Sequence, residues 1–422
     1  MNEQLLQYIW QFQYYNQTSL CTNNDEPLQI IHPGNYNSNQ GPDFREAKIR
    51  IANTTWAGNI ELHVNSSDWK KHKHSADSNY GNVILHVVWR HDAADSRLFP
   101  TLILEDRVPK MLLSKYDDLM NRPSFIPCEK NITGIHGLIW TSWKEKLLLE
   151  RLQFRSGLIQ RFLEQNQHHW EETCWWTIAR NFGNSQNCEA FEKVARSIPV
   201  KILVRHKNQL QQLEALLMGQ AGLLDDEFNE SYPLMLQKEY RFLRHKYKLK
   251  QVQHPLFFLR MRPANFPSVR LAQLAALIHG SNKLFAHICD ATSLDEIKKL
   301  LNVTANDYWH YHYLLDEISS FKIKKLGSQM TDNIIINSIV PMIYSYGRYH
   351  ENEQLINRAL RWIEQLPPEK NNILKGFQSL GIIAEHAFDS QALLQLKNEY
   401  CNKRKCLECM IGNRLLRSGA TA

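Results

Sequence analysis

Gly41-Pro42-Asp43-Phe44-Arg45-Glu46-Ala47-Lys48-Ile49-Arg50-Ile51, followed by Trp56-Ala57-Gly58-Asn59-Ile60-Glu61-Leu62-His63-Val64, is the stretch on which the fold turns. Residues 47–51 alternate, with Lys48 and Arg50 on one face and Ile49 and Ile51 on the other. Asn53-Thr54 suits a turn. In the second strand Trp56, Gly58, Ile60, Leu62 and Val64 share a face, and Asn59, Glu61 and His63 share the opposite one. Residues two apart on a strand carry their side chains ~7 Å apart on one surface, so Glu61 and His63 form a polar pair beside an apolar sheet face.

The flanking sequence extends this hairpin into a sheet. Before it, residues 3–14 place Leu5, Tyr8, Ile9 and Phe12 at helical spacing, and residues 28–31 form a short strand stopped by His32-Pro33-Gly34. After it, Ser66-Ser67-Asp68 is a helix-start signal ahead of Trp69-Lys70-Lys71-His72-Lys73-His74. Residues 83–89 are apolar almost throughout, as in a strand covered on both faces, and 98–104 read as another strand. The predicted order is helix, three strands, helix, strand. From about residue 135 apolar residues recur at three and four, as in 138–164, 210–218, 269–279, 333–344 and 353–364. The predicted fold is α+β: a small mixed β-sheet domain over residues 1–130, then a large all-α domain over 131–422 that ends in a cysteine cluster.

The 422 residues allow a large core, and 22% charged with 43% hydrophobic residues is the balance of a water-soluble globular chain. A formal charge of +7 permits a nucleic-acid partner without requiring one. The first residues lack the basic and apolar regions of a secretion signal, and no run of 18 apolar residues suggests a membrane span. Eight cysteines are too sparse for a disulfide scaffold, so the expectation is a cytoplasmic protein with reduced thiols.

Four constellations bear on chemistry. Asp43 and Glu61 are carboxylates suited to Mg²⁺ or Mn²⁺, and His63, on the same face as Glu61, is placed to orient or deprotonate a water. His63, His72, His74 and His86, with Asp68 and Asp77, form a histidine-rich run. Two residues two apart cannot share a helix face, so His72 and His74 converge on zinc or manganese only if the chain there is not helical. The preferred reading is a solvated basic helix edge, residues 70–74, in which Lys70 and Lys71 contact a phosphate backbone or nothing, with His86 a core histidine. Cys401, Cys406 and Cys409, at C-x4-C-x2-C spacing, suit a zinc ion, with Cys128 as the fourth ligand. Arg260, Arg262 and Arg270 lie in a proline-stiffened stretch whose guanidinium forks suit nucleic-acid phosphates.

The pairing of Pro42-Asp43 with Glu61-Leu62-His63, across about residues 1–105, resembles the PD-(D/E)XK nuclease superfamily. The resemblance implies a metal-dependent phosphodiesterase acting on nucleic acid, with Asp43 and Glu61 on the metal and Glu3 where some members carry a further acid. His63 replaces the lysine of that pattern. The departure leaves open an alternative, a catalytically degenerate nuclease fold serving as a nucleic-acid-binding or scaffold protein. Some members of the superfamily hold an iron–sulfur cluster in a comparable cysteine latch, which is the alternative to zinc at Cys128, Cys401, Cys406 and Cys409. Over nearly its full length the chain is also similar to a bacterial family catalogued as a domain of unknown function. Gly41-Pro42-Asp43-Phe44, Trp56-x-Gly58-Asn59-Ile60-Glu61-Leu62-His63, Ser67-Asp68-Trp69, residues 82–88, Arg262-Pro263-x-Asn265-Phe266-Pro267 and residues 406–413 carry that similarity.

Overall fold

The side chain of Asn2 accepts a hydrogen bond from the Leu5 N–H and so starts helix α1 (Glu3–Gln11), which buries Leu5, Leu6, Tyr8, Ile9 and Trp10. In the computed structural model the described residues are 1–37, 39–72, 74, 77–92, 100–121, 123–135, 137–259, 261–281 and 283–417. The chain divides into two units. The first comprises Met1–Trp143, Ser379–Gly381 and Leu396–Ala422, and the second Lys144–Gln378 and Ile382–Gln395.

In the first unit, strands β1 (Leu28–His32), β2 (Asn35–Tyr36), β3 (Phe44–Ile51), β4 (Thr54–Asn65), β5 (Val83–Arg90) and β6 (Thr101–Ile103) form one sheet. The order is β1-β3-β4-β5-β6, with β2 also on β3. Pairings β1/β3 and β3/β4 are antiparallel, while β4/β5 and β5/β6 are parallel, so the sheet is mixed. A parallel pair needs a crossover, and residues 66–82 supply it between β4 and β5. Its helix α2 (Asp68–Lys71) has only four residues. Of the strand expected over 98–104, residues 101–103 are strand, and Leu98 and Phe99 lie outside the described residues.

Ile49, Ile60, Leu62, Leu85 and Val87 join the apolar face of α1, the following helix α3 (Lys110–Asn121) and the C-terminal helix Met410–Arg417 in one core. Each such side chain contributes about 1.5–3 kcal/mol. The division differs from a break at residue 130, because the C-terminal segment belongs to this unit and not with the helices. Leu416 is fully buried in its core, and Arg404 Nη1 donates to the Leu119 carbonyl at 2.7 Å.

The second unit is a large helical array: α4 (Gly137–Gln165) from Lys144 onward, then α5 (Trp170–Phe182), α6 (Asn184–Ser197), α7 (Val200–His206), α8 (Leu210–Gln220), α9 (Ser231–Tyr247) and α10 (Pro267–Gly280). The 333–344 pattern lies on Ser328–Ile334, a wider turn at Ile335–Ile339, and Val340–Tyr349. A small hairpin, His312–Leu314 with Glu317–Ile318, interrupts the helices. Among the described residues no helix is long and apolar enough to cross a membrane.

Candidate metal centre

The hairpin brings Asp43, Glu61 and His63 together as its alternation implies, and the crossover adds two side chains. The Asp43 N–H donates to Glu61 Oε2 at 3.1 Å. The Asp43 carboxylate accepts from the Leu62 N–H at 3.0 Å and from Gln7 Nε2 at 2.8 Å, tying the mouth of β3 to β4 and α1. Glu61 Oε2 is thereby held, and Oε1 faces the histidines, 3.4 Å from His74 Nε2 and 3.7 Å from His63 Nε2.

His63 Nε2 is the shared vertex. It lies 3.2 Å from His72 Nδ1 and 3.3 Å from His74 Nε2. One nitrogen cannot satisfy these neighbours and Glu61 with a single hydrogen. Three imidazole nitrogens this close can share one ion, and Glu61 Oε1 lies beside two of them. His63, His72 and His74 place one ligand atom each within 4.8 Å of one another. Lys70, Lys71 and His72 are exposed, as expected of a solvated edge, but His72 and His74 also turn their rings toward His63. Helix α2 ends at Lys71, so His72 and His74 are freed from helical spacing and turn back onto β4. The brevity of α2 carries no signal in the sequence.

Packing fixes the rings. Trp69, 5% exposed, has its ring centroid 5.4 Å from that of His74 and 5.2 Å from that of His86, and Tyr80 lies against His74 at 3.9 Å. His86 is buried in β5, as expected of a core histidine, and its Nε2 lies 2.9 Å from His63 Nδ1. With the proton of His63 on Nδ1, Nε2 presents a bare lone pair to the vertex.

Electrostatics favour neutral imidazoles and a proton on the carboxyl pair. Burial, reinforced by His86, His74 and His72, pushes His63 down to about 3. Burial likewise pushes His86 down to about 4, and lowers His74. Burial raises both Asp43 and Glu61 above the ordinary carboxylate range. The Asp43 charge adds to the rise at Glu61, and Glu3 adds at both, while the Leu62 N–H draws Asp43 back. Glu3 itself is exposed on α1 and acts on the pair through its charge.

The remaining expected residues are dispersed. Lys70 and Lys71 are exposed on α2, and Lys71 Nζ pairs with Asp68 Oδ1 at 2.6 Å. Arg262 is exposed, Arg260 lies outside the described residues, and Arg270 is buried within α10 and not on an open elbow. Cys128, Cys401, Cys406 and Cys409 all belong to the first unit, and the last three are buried. Burial first, then the neighbouring thiols, raises Cys128 to about 12 and Cys401 still higher; burial and Cys409 raise Cys406 to about 12. Gly412 makes their loop compact, since a Cβ there would stand 2.2 Å from the Cys406 carbonyl oxygen.

No curated protein and no solved structure matches the chain. Residues 3–372 match the family model described as "Protein of unknown function (DUF2851)", and the chain belongs to that family.

Proposed function

We propose that this chain is a metal-dependent phosphodiesterase acting on nucleic acid, its ion held by His63, His72, His74 and Glu61. The observation that carries the reading is the shared vertex at His63 Nε2, with three further donor atoms 3.2–3.7 Å away. Helix, strand, antiparallel hairpin and parallel crossover strand, with Asp43 before β3 and Glu61 on β4, support the likeness to the PD-(D/E)XK arrangement. Three imidazoles and a carboxylate suit Zn²⁺ or Mn²⁺ better than Mg²⁺, which prefers oxygen donors. The bound ion supplies Lewis-acid polarisation and a water that ionises near neutral pH.

Side chains divide the remaining work. His86 and Trp69 hold the His63 ring. Both His63 nitrogens face other side chains, so His63 serves as a ligand and Asp43 takes the base role. Asp43 lies at the partly open edge, and burial has raised its affinity for a proton. A water oxygen bonds to phosphorus, its proton passes to Asp43, and the ester P–O bond breaks with the leaving oxygen protonated from solvent.

The test is hydrolysis of single- and double-stranded DNA and RNA by the full chain with Mn²⁺ or Zn²⁺, beside Glu61→Gln and Asp43→Asn. Cleavage lost in both variants, with metal affinity lowered in Glu61→Gln, supports the reading. No cleavage of any substrate, with metal affinity unchanged in Glu61→Gln, sinks it. The absence of the lysine favours a second reading, a nucleic-acid-binding protein on a degenerate nuclease core. Salt-sensitive binding without turnover in the unaltered chain is its mark.

We propose that Cys128, Cys401, Cys406 and Cys409, all in the first unit, hold zinc or, alternatively, an iron–sulfur cluster.

A further inference from the structure

In the second unit, α10 and residues 322–333 border a recess of about 350 Å³. Two cations lie buried in its wall. Arg270 is 6% exposed and Lys324 is 3% exposed. The partners of Arg270 are neutral amides: Nη1 donates to Gln273 Oε1 at 2.8 Å and Nη2 to Asn265 Oδ1 at 2.5 Å. Its Nε is buried with no hydrogen-bond partner. Lys324 Nζ donates to the carbonyls of His310 and Lys322, at 3.3 and 3.2 Å, and sits 3.8 Å over the Tyr313 ring. Lys322 and Lys325 add two exposed cations, and among the described residues neither Asp nor Glu lines the recess.

Buried cations ordinarily come with a carboxylate, because removing a charge from water costs several kcal/mol unless a counter-charge replaces the lost solvation. Here burial alone lowers Arg270, to about 10, and burial with Lys322 lowers Lys324. Neither shift has an acid opposing it. The missing counter-charge is the signature of a site for an anion.

We propose that this recess binds a phosphate-bearing ligand, its phosphoryl oxygens seated between Arg270 and Lys324. A tetrahedral dianion matches four cations lining one recess better than a singly charged planar carboxylate does, and guanidinium N–H groups suit phosphate oxygens. Asn184, Gln329 and Asn333 give the rest of the recess a hydrogen-bonding wall. The volume exceeds that of the phosphoryl group alone, so it has room for the group that carries it. The phosphate belongs either to a nucleic-acid strand or to a free phosphorylated small molecule. The inference stands apart from the metal centre, since its test reads binding alone.

The experiment is calorimetric titration of the full chain with inorganic phosphate, with chloride at equal ionic strength as control. One phosphate per chain is expected, with a raised melting temperature. Arg270→Gln should weaken binding about 10- to 100-fold, the range for one charge-assisted hydrogen bond. Because Arg270 is buried and its variant can fail to fold, the exposed double variant Lys322→Gln/Lys325→Gln is the second arm, expected to keep its fold and bind several-fold more weakly. Competition then names the source. Displacement by a single-stranded oligonucleotide without terminal phosphate identifies a backbone phosphate. Displacement by a nucleoside monophosphate alone identifies a small molecule. Phosphate binding no tighter than chloride, or unchanged in the double variant and in any folded Arg270→Gln protein, overturns the proposal.

Discussion

Nδ1 of His63 lies 2.9 Å from Nε2 of His86, so two buried imidazoles on paired strands are locked together directly behind the proposed metal vertex. A ligand's second nitrogen fixes its tautomer and orientation, and loss of such a partner typically lowers metal affinity 10- to 100-fold. His86→Ala should therefore reduce Zn²⁺ or Mn²⁺ affinity by that factor while the far-ultraviolet circular dichroism stays native. Unchanged affinity in a folded His86→Ala protein would falsify the orienting role.

His74 tests the convergence itself. It comes from the crossover, its side chain 11% exposed, and meets His63 and Glu61 at 3.3 and 3.4 Å. His74→Ala should cost about tenfold or more in metal affinity, with little loss of stability in the metal-free protein, since the ring packs on Trp69 and Tyr80 in the crossover and belongs to no strand. A metal-free protein that loses several kcal/mol would instead make His74 a structural residue.

Glu214 gives the helical unit a pH-dependent stability. It is fully buried on α8, accepting from Tyr232 Oη at 2.5 Å and Trp309 Nε1 at 3.3 Å, and burial raises its carboxyl from 4.5 to about 7. The folded chain keeps a proton there that the unfolded chain releases between these values. Its contribution is thus fully present below pH 4.5 and lost as pH rises to about 7. The rise corresponds to about 3 kcal/mol. Chemical denaturation across this window should show the loss, and Glu214→Gln should flatten it. An identical slope in the variant would rule Glu214 out as its source.

Close packing between α8 and α9 rests on Gly219. A Cβ there would lie 2.2 Å from the Tyr240 ring, which is itself 3% exposed. Gly219→Ala should destabilise the fold by about 1–3 kcal/mol, measured by urea denaturation, because an added methyl overlaps a buried ring in a close-packed interior. A neutral substitution would show that the two helices can part without loss.

For the cysteines, elemental analysis of anaerobically purified protein should find zinc or iron, and Cys409→Ser should lower the metal content. Zinc at one per chain and iron with a visible chromophore separate the two alternatives. Protein free of both metals excludes them together.

The sequence by itself determined the parts that local periodicity controls. Alternation across residues 47–64 set Ile60 and Leu62 against Glu61 and His63, and the structure has those faces. Helical spacing marked α1, α8, α10 and Glu353–Gln365, because an apolar stripe repeats within each segment whatever its partners. Only tertiary structure decided the rest. Short α2 releases His72 and His74 toward His63, residues 9 and 11 positions away, and no fixed spacing encodes that return. The C-terminal cysteines join the sheet unit because Leu416 finds its core and Arg404 finds the Leu119 carbonyl. Arg270 reads as a surface phosphate binder in one dimension, yet α10 buries it beside a neutral Gln273, in a recess that no described Asp or Glu lines. A charge declares itself in the sequence, but its counter-charge, or the lack of one, exists only once distant segments have packed.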